Sequence, residues 1–253
     1  MRISTYNIWD SERGMPARFY QILAEIKSNN ADILCVQELP DYEAFNAISE
    51  LCGYDEGYWN DQYGVGIYTK FEATGIAKND YGIAAVIDIH GVRLLVMNVH
   101  LPWKSALKRE ELIVEMIESA HIFECDYTVI AGDFNCSENS SVHRYLKGDQ
   151  SLLGSDTYFV DLAEAFAEIE GSSPKATLDV RNNPRYRDEK GCSTNTIEIN
   201  QRYDRILLKN PFPKAYPRLS SFGIFGTKVS PVTELCASDH YGVFADLEFE
   251  IDV

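Results

Sequence analysis

Short apolar runs of strand length alternate along this chain with stretches of helical periodicity, and that alternation confines its 253 residues to an α/β architecture. Residues 2–9 read as a strand. Pro16 suits the first turn of a helix, where a missing N–H costs nothing, and Phe19, Ile22, Leu23 and Ile26 then share one face. Residues 32–37 read as a buried strand running into Glu38, and 65–69 as another. Residues 83–89 and 92–99 flank His90-Gly91, which reads as a hairpin turn. A helix over 105–122 carries an apolar stripe at Leu112, Ile113, Met116 and Ile117. Residues 127–131 form a strand, followed by the loop Gly132-Asp133-Phe134-Asn135, and further strands are expected at 203–208 and 242–251. The polar stretch 171–201, rich in Ser, Asn and Pro, reads as a long loop, either functional or disordered. No repeat or linker divides the sequence, so residues 1–253 are expected to form one domain.

Polar residues recur at the ends of these runs. Asn7 closes the first and Glu38 follows the second. His100 ends 92–99, and Asp133 and Asn135 follow 127–131. Asp204 interrupts 203–208, and Asp239 and His240 precede the last strand. A strand end suits a reactive group, because the sheet fixes its base while its tip faces a cleft. Singly, each has an ordinary explanation: Gly, Asp and Asn favour turns, a Glu at a strand end is commonly solvated, and a lone histidine is commonly a hydrogen-bonded structural residue. The joint pattern is what points to chemistry.

Charge narrows the partners. With 39 acidic and 23 basic residues the net charge is −16, a surface that repels polyanions and disfavours broad binding of long DNA. A local basic patch still steers a substrate. Residues 175–205 hold seven basic residues (Lys175, Arg181, Arg185, Arg187, Lys190, Arg202, Arg205) against five acidic ones. This stretch reads either as a solvated loop or as a substrate clamp, with Arg181, Arg185 and Arg187 meeting phosphates as guanidinium forks. Lys104, Lys108 and Arg109 would then line the other wall, and Trp103 would offer a stacking face. The six cysteines have no C-x-x-C spacing and read as free thiols of a reducing compartment. No leader is visible, and no apolar stretch approaches the ~20 residues that span a bilayer. A soluble cytoplasmic protein without membrane insertion is expected.

The pieces Thr5-Tyr6-Asn7-Ile8, Val36-Gln37-Glu38, Asn98-Val99-His100-Leu101, Gly132-Asp133-Phe134-Asn135, Tyr203-Asp204-Arg205-Ile206-Leu207 and Ser238-Asp239-His240 together resemble the endonuclease/exonuclease/phosphatase superfamily, in its order. The resemblance implies a DNase I-like, four-layered α/β sandwich of two packed, mostly antiparallel sheets with outer helices. It implies a phosphodiester hydrolase in which Glu38, with Asn7 and Asp239, holds a divalent cation. Oxygen donors of this kind suit Mg²⁺ or Mn²⁺. By the same resemblance Asp133 activates the attacking water, Asn135 donates to the phosphorus oxygens, and His240 meets the phosphate as an imidazolium backed by Asp204. His100 is a second phosphate contact. His90, His121 and His143 fall outside the motifs and read as turn or surface residues.

Within the superfamily, Thr5-Tyr6-Asn7-Ile8-Trp9, Arg202-Tyr203-Asp204-Arg205-Ile206 and Ser238-Asp239-His240-Tyr241-Gly242-Val243 are similar to stretches of the 5′-tyrosyl-DNA phosphodiesterases. That likeness implies DNA or a protein–DNA adduct as the substrate, and a place in DNA repair. Two positions depart from that group: Leu178 replaces a Trp, and Cys136-Ser137 stand where a substrate-contacting Arg is expected. An inositol phosphate, a lipid head group or another small phosphoester therefore stays open as substrate. So does a catalytically inactive binding scaffold, although every core position is filled. The sequence leaves the oligomeric state open.

Overall fold

A computed structural model describes residues 1–187 and 197–249. Lys190, Cys192 and the last residues of the expected final strand lie outside the described residues. In chain order the elements are β1 (Arg2–Asn7), α1 (Ala17–Asn29), β2 (Ile33–Gln37), α2 (Tyr42–Cys52), β3 (Glu56–Asn60) and β4 (Val65–Thr69). There follow β5 (Ala73–Asn79), β6 (Gly82–Ile89), β7 (Val92–His100), α3 (Ala106–Ser119), β8 (Tyr127–Asp133) and α4 (Ser141–Lys147). The remainder is β9 (Phe159–Asp161), α5 (Leu162–Glu170), β10 (Asp204–Lys209), β11 (Arg218–Phe225) and β12 (Gly242–Glu248).

The strands form two six-stranded sheets, ordered β11-β12-β1-β2-β4-β3 and β5-β6-β7-β8-β10-β9. Each has one parallel pair at its centre, β1 with β2 and β7 with β8, and is otherwise antiparallel. A parallel pair needs a long crossover, and α1 and α3 supply it. The side chains between the sheets include Ile3, Ile33, Cys35, Val65, Val96, Val129, Ile206 and Val243. Outside the first sheet, Ile22, Leu23 and Ile26 of α1 and Phe45 and Ile48 of α2 pack on Tyr6, Leu34 and Val36. Outside the second, Leu112, Ile113, Met116 and Ile117 of α3 and Tyr145 and Leu146 of α4 pack on Leu95, Met97 and Ile130. The result is the expected four-layered α/β sandwich. No helix among the described residues is long and apolar enough to cross a membrane.

Two local expectations change. Gly132 and Asp133 belong to β8 rather than to a loop, because Asp133 is paired on one side with His100 and on the other with Asp204. The described part of 171–201 is built in rather than loose. Leu178 bridges Gln201, and 184–186 form a 3₁₀ turn whose preceding Asn183 side chain accepts from Arg185 N–H.

Candidate active site

Side chains two apart on a strand share a face, and on the central strands the inward face changes from apolar to polar toward one end of the sandwich. The rows are Ile3-Thr5-Asn7, Ile33-Cys35-Gln37, Val96-Asn98-His100, Val129-Ala131-Asp133 and, on the antiparallel β10, Leu208-Ile206-Asp204. A buried polar layer closes off the core beneath the site. Gln37 Nε2 donates across the two sheets to Asn98 Oδ1 at 2.6 Å and to Thr5 Oγ1 at 2.9 Å. Asn98 Nδ2 donates to the carbonyls of Val36 and Gly66. Satisfied networks of this kind fix one arrangement of the elements they join.

Asp133 stands at the centre. Its Oδ1 accepts from Asn135 N–H at 2.8 Å, and its Oδ2 accepts from Asn7 Nδ2 at 3.0 Å and Asn135 Nδ2 at 3.2 Å. His100 Nε2 lies 3.7 Å and His240 Nε2 4.0 Å from the same Oδ2. Glu38 accepts from Asn7 Nδ2 at 3.0 Å and from Asp10 N–H at 2.7 Å, and lies 3.8 Å from His100 Nε2. Trp9, Glu38 and Asn135 have φ of 60°, 61° and 47°, the left-handed region that non-glycine residues avoid. Such backbone cost concentrates where surrounding contacts over-determine a functional position.

His240 Nδ1 bonds Asp204 Oδ2 at 2.8 Å. Burial lowers the pKa of this imidazole, but Asp204 and Asp133 outweigh it and hold it well above its ordinary value. This favours the protonated ring, whose Nε2 lies 4.0 Å from Asp133 Oδ2. Thr177 braces the pair: its Oγ1 accepts from the N–H groups of Tyr203 and Asp204, and its carbonyl accepts from Tyr241 N–H. Ser238 ties the His240 segment to β1, donating to Asn7 O at 2.7 Å and accepting from His240 N–H.

The model of the Endonuclease/Exonuclease/phosphatase family matches residues 4–240. The chain belongs to the endonuclease/exonuclease/phosphatase family. No curated protein sequence matches it. Among solved structures, D. rerio TDP2 humanized by 14 mutations is 16% identical with a TM-score of 0.77, over 98% of this chain and 99% of the other. D. rerio TDP2 complexed with a single strand DNA product is 15% identical with a TM-score of 0.75, over 98% and 99% of the two chains. The human Nocturnin catalytic domain with bound sulfate is 16% identical with a TM-score of 0.67, over 99% and 94%.

Family membership implies a divalent cation, and the Asp239 carboxylate fits one best, with Glu38, whose two oxygens each accept one hydrogen bond, beside it. Asp239 is largely buried. Among the described residues its Oδ1 faces Ser238 Oγ at 3.5 Å and its Oδ2 faces Arg185 Nε at 3.8 Å. Burial raises its carboxyl above the ordinary value, and Glu38 and Asp133 push the same way against His240 and Arg185. Such under-neutralised oxygen atoms fit a hard cation. Asp133, Asp204 and His240 also lie close enough to share an ion, although Asp133 is held by the two Asn residues and Asp204 Oδ2 by His240 Nδ1. Asn7 turns its nitrogen to Glu38 and Asp133 and accepts from Trp9 N–H through its oxygen at 3.0 Å. As placed, it braces the carboxylates rather than presenting a free oxygen.

Of the proposed substrate contacts only Arg185 reaches the site. Arg181 and Arg187 are exposed at the surface, and Trp103 is 70% exposed with Lys104 Nζ over its ring. His90 and His121 are exposed as expected, whereas His143 is 2% exposed. It lies on the inner side of α4, 3.2 Å from Glu164 in a network with Asp161 and Arg202, because α5 packs beside α4. Two arginines are fully buried, Arg18 outside the motifs and Arg205 within the Tyr203-Asp204-Arg205 stretch. Arg18 donates to the carbonyls of Ile8, Trp9, Ser11, Arg13 and Ala237, and Arg205 donates to Cys136 O. Both hold the loops that carry site residues.

Proposed function

We propose that the protein is a divalent-cation-dependent phosphodiesterase, its chain acting as one catalytic domain, that hydrolyses a P–O bond by in-line attack of a water activated by Asp133. The carrying observation is the Asp133 carboxylate, held by three hydrogen bonds while facing two imidazoles. Such fixing suits a base, which must keep one lone pair aimed at the water. Glu38 and Asp239 would hold Mg²⁺ or Mn²⁺, whose chemistry is neutralisation of charge on the phosphate and its leaving oxygen.

His240, kept protonated by Asp204, offers Nε2–H to a phosphate oxygen, and His100 offers a second contact on the opposite side. Both amide hydrogens of Asn135 are engaged, with Leu101 O and Asp133. It orients the base in the resting site and turns one hydrogen to the phosphate as charge builds there. Nucleic acid ends, including a 5′-phosphotyrosyl adduct, are the proposed substrate class. The stretches around Asn7, Asp204 and His240 support this reading, as does the DNA product held by D. rerio TDP2.

The test is hydrolysis of bis-p-nitrophenyl phosphate and a 5′-phosphotyrosyl oligonucleotide with Mg²⁺ or Mn²⁺. Activity is expected to vanish with EDTA, and Glu38→Gln is expected to demand far more Mg²⁺. Full activity in EDTA, or of Glu38→Gln at low micromolar Mg²⁺, would sink the reading.

A further inference from the structure

Trp9 lies between two guanidinium groups, with the Cζ of Arg18 4.6 Å and that of Arg185 5.2 Å from its ring centroid. The inner cation is immobile, since Arg18 spends its donors on five backbone carbonyls. The outer one is held differently. The backbone of Arg185 is fixed, its N–H donating to Asn183 Oδ1 and its carbonyl accepting from Arg13 Nη1. Asn183 Nδ2 in turn donates to the carbonyls of Ser238 and Asp239. The 184–186 turn is thereby bolted to the segment that carries Asp239.

Among the described residues the Arg185 side chain, by contrast, makes charge and ring contacts. Its Cζ is 5.3 Å from the Tyr186 ring centroid, and its Nε is 3.8 Å from Asp239 Oδ2. That Nε is buried and has no hydrogen-bond partner among the described residues. A guanidinium on two aromatic faces is attracted to both but free to slide.

We propose that Arg185 is the resident counter-ion of Asp239, displaced when the divalent cation binds and thereby turned to the substrate's phosphate. This rests on the reading of Glu38 and Asp239 as the cation's ligands. Asp239, crowded by Glu38 and Asp133, is offset by His240, which Asp204 already engages, and by Arg185, the mobile cation beside its Oδ2. A dication arriving at the same carboxylate repels the guanidinium. Trp9 and Tyr186 then guide the side chain outward, where its two-pronged fork matches phosphate oxygens. Metal binding and phosphate capture become one ordered event.

The test is calorimetric titration of the whole protein with Mg²⁺ alone, followed in parallel by tryptophan emission. Arg185→Gln removes the competing charge and is expected to tighten Mg²⁺ binding about tenfold, the order of a like-charge contact at near-water dielectric. It is also expected to weaken inorganic phosphate binding about tenfold in saturating Mg²⁺. Arg185→Lys keeps the charge but not the fork, so Mg²⁺ affinity should stay at the parent level while phosphate affinity falls. The Mg²⁺-induced emission change should disappear in Trp9→Phe and in Arg185→Gln. Unchanged or weaker Mg²⁺ binding by a folded Arg185→Gln overturns the proposal while leaving the metal site intact. A parent protein that binds no Mg²⁺, or binds it equally after Glu38→Gln, overturns the metal site and the proposal together.

Discussion

At the scale of single residues, Asp133 and His240 face each other across 4.0 Å, and the separate duties proposed for them predict separate losses. Asp133→Asn retains the shape of the side chain but not the base, so kcat is expected to fall at least ~10³-fold with KM changed less than about threefold. A large rise in KM with kcat preserved would make Asp133 a binding residue instead. His240→Ala should cost at least ~10²-fold in kcat. Asp204→Asn should cost less, since the ring stays in place with a weaker hold on its proton, and steady-state kinetics of the two variants rank them. Asp133 and Asp204 stand out in the sequence as polar residues at the two ends of apolar runs, and the structure places them at strand ends, whereas His240 stands out only by its place just before the last strand. Thr177 and Asn183 stand out only as an echo of the Thr-Trp-Asp stretch of the tyrosyl-DNA phosphodiesterases, and Arg18 not at all, because its partners are backbone carbonyls far away in the chain, which have no sequence signature. His143 was misread as a surface residue for a related reason. Its burial depends on Glu164, 21 positions away on another helix, and nothing local to residue 143 announces it.

At the scale of elements, the parallel pair β7–β8 mounts two site residues, and Gly132 is what lets those strands meet. It has φ of 140°, and a Cβ there would lie 2.0 Å from Val99 O. Gly132→Ala is therefore expected to cost about 3 kcal/mol or more, measurable by urea unfolding. A loss under ~1 kcal/mol would show that the strands part without harm. A second element-scale expectation lies between α4 and α5. The His143 hydrogen bond, against burial and with help from Lys147, pulls the Glu164 carboxyl down to about 2 from 4.5. A depressed carboxyl stabilises the fold above its unfolded value and loses that contribution as pH falls toward the folded one. Glu164→Gln should thus lower Tm at pH 7, and the gap to the parent should narrow from about pH 5 downward. A gap constant from pH 7 to pH 3 would exclude an electrostatic origin. Strands 65–69 and 83–99 and the helix stripes of α1 and α3 were readable because their apolar periods are unbroken. β5 escaped because its burial alternates only between half-buried and exposed, and β9 because three residues carry no period.

At the scale of the molecule, the question is how a chain of net charge −16 would take up the proposed anionic substrate. The basic count over 175–205 suggested a cationic loop, but the structure spends much of that charge internally. Arg202 is bound to Asp161, Glu164 and Glu138, Arg205 is buried on Cys136, and Arg185 faces Asp239. On the other wall Arg109 donates to the carbonyls of Pro102 and Trp103, and Lys108 pairs with Glu111. Residue counting cannot register this, because a charge satisfied inside the fold and a charge offered to solvent look alike in a sequence. With so much of this charge spent inside the fold, affinity for a nucleic acid end should reside in the nucleotides nearest the scissile bond. Two consequences are measurable with 5′-phosphotyrosyl oligonucleotides at fixed free Mg²⁺. KM should not fall when the strand is lengthened from about 4 to about 20 nucleotides, because added phosphates meet no counter-charge and release no ions. Between about 20 and 150 mM KCl, as the screening length shrinks to about 8 Å, kcat/KM should hold level or rise, since salt relieves the repulsion of the surrounding acidic surface. A steep decline with salt that grows with strand length would require an extended cationic groove, and would relocate substrate binding to Lys175, Arg181 and Arg187 at the surface.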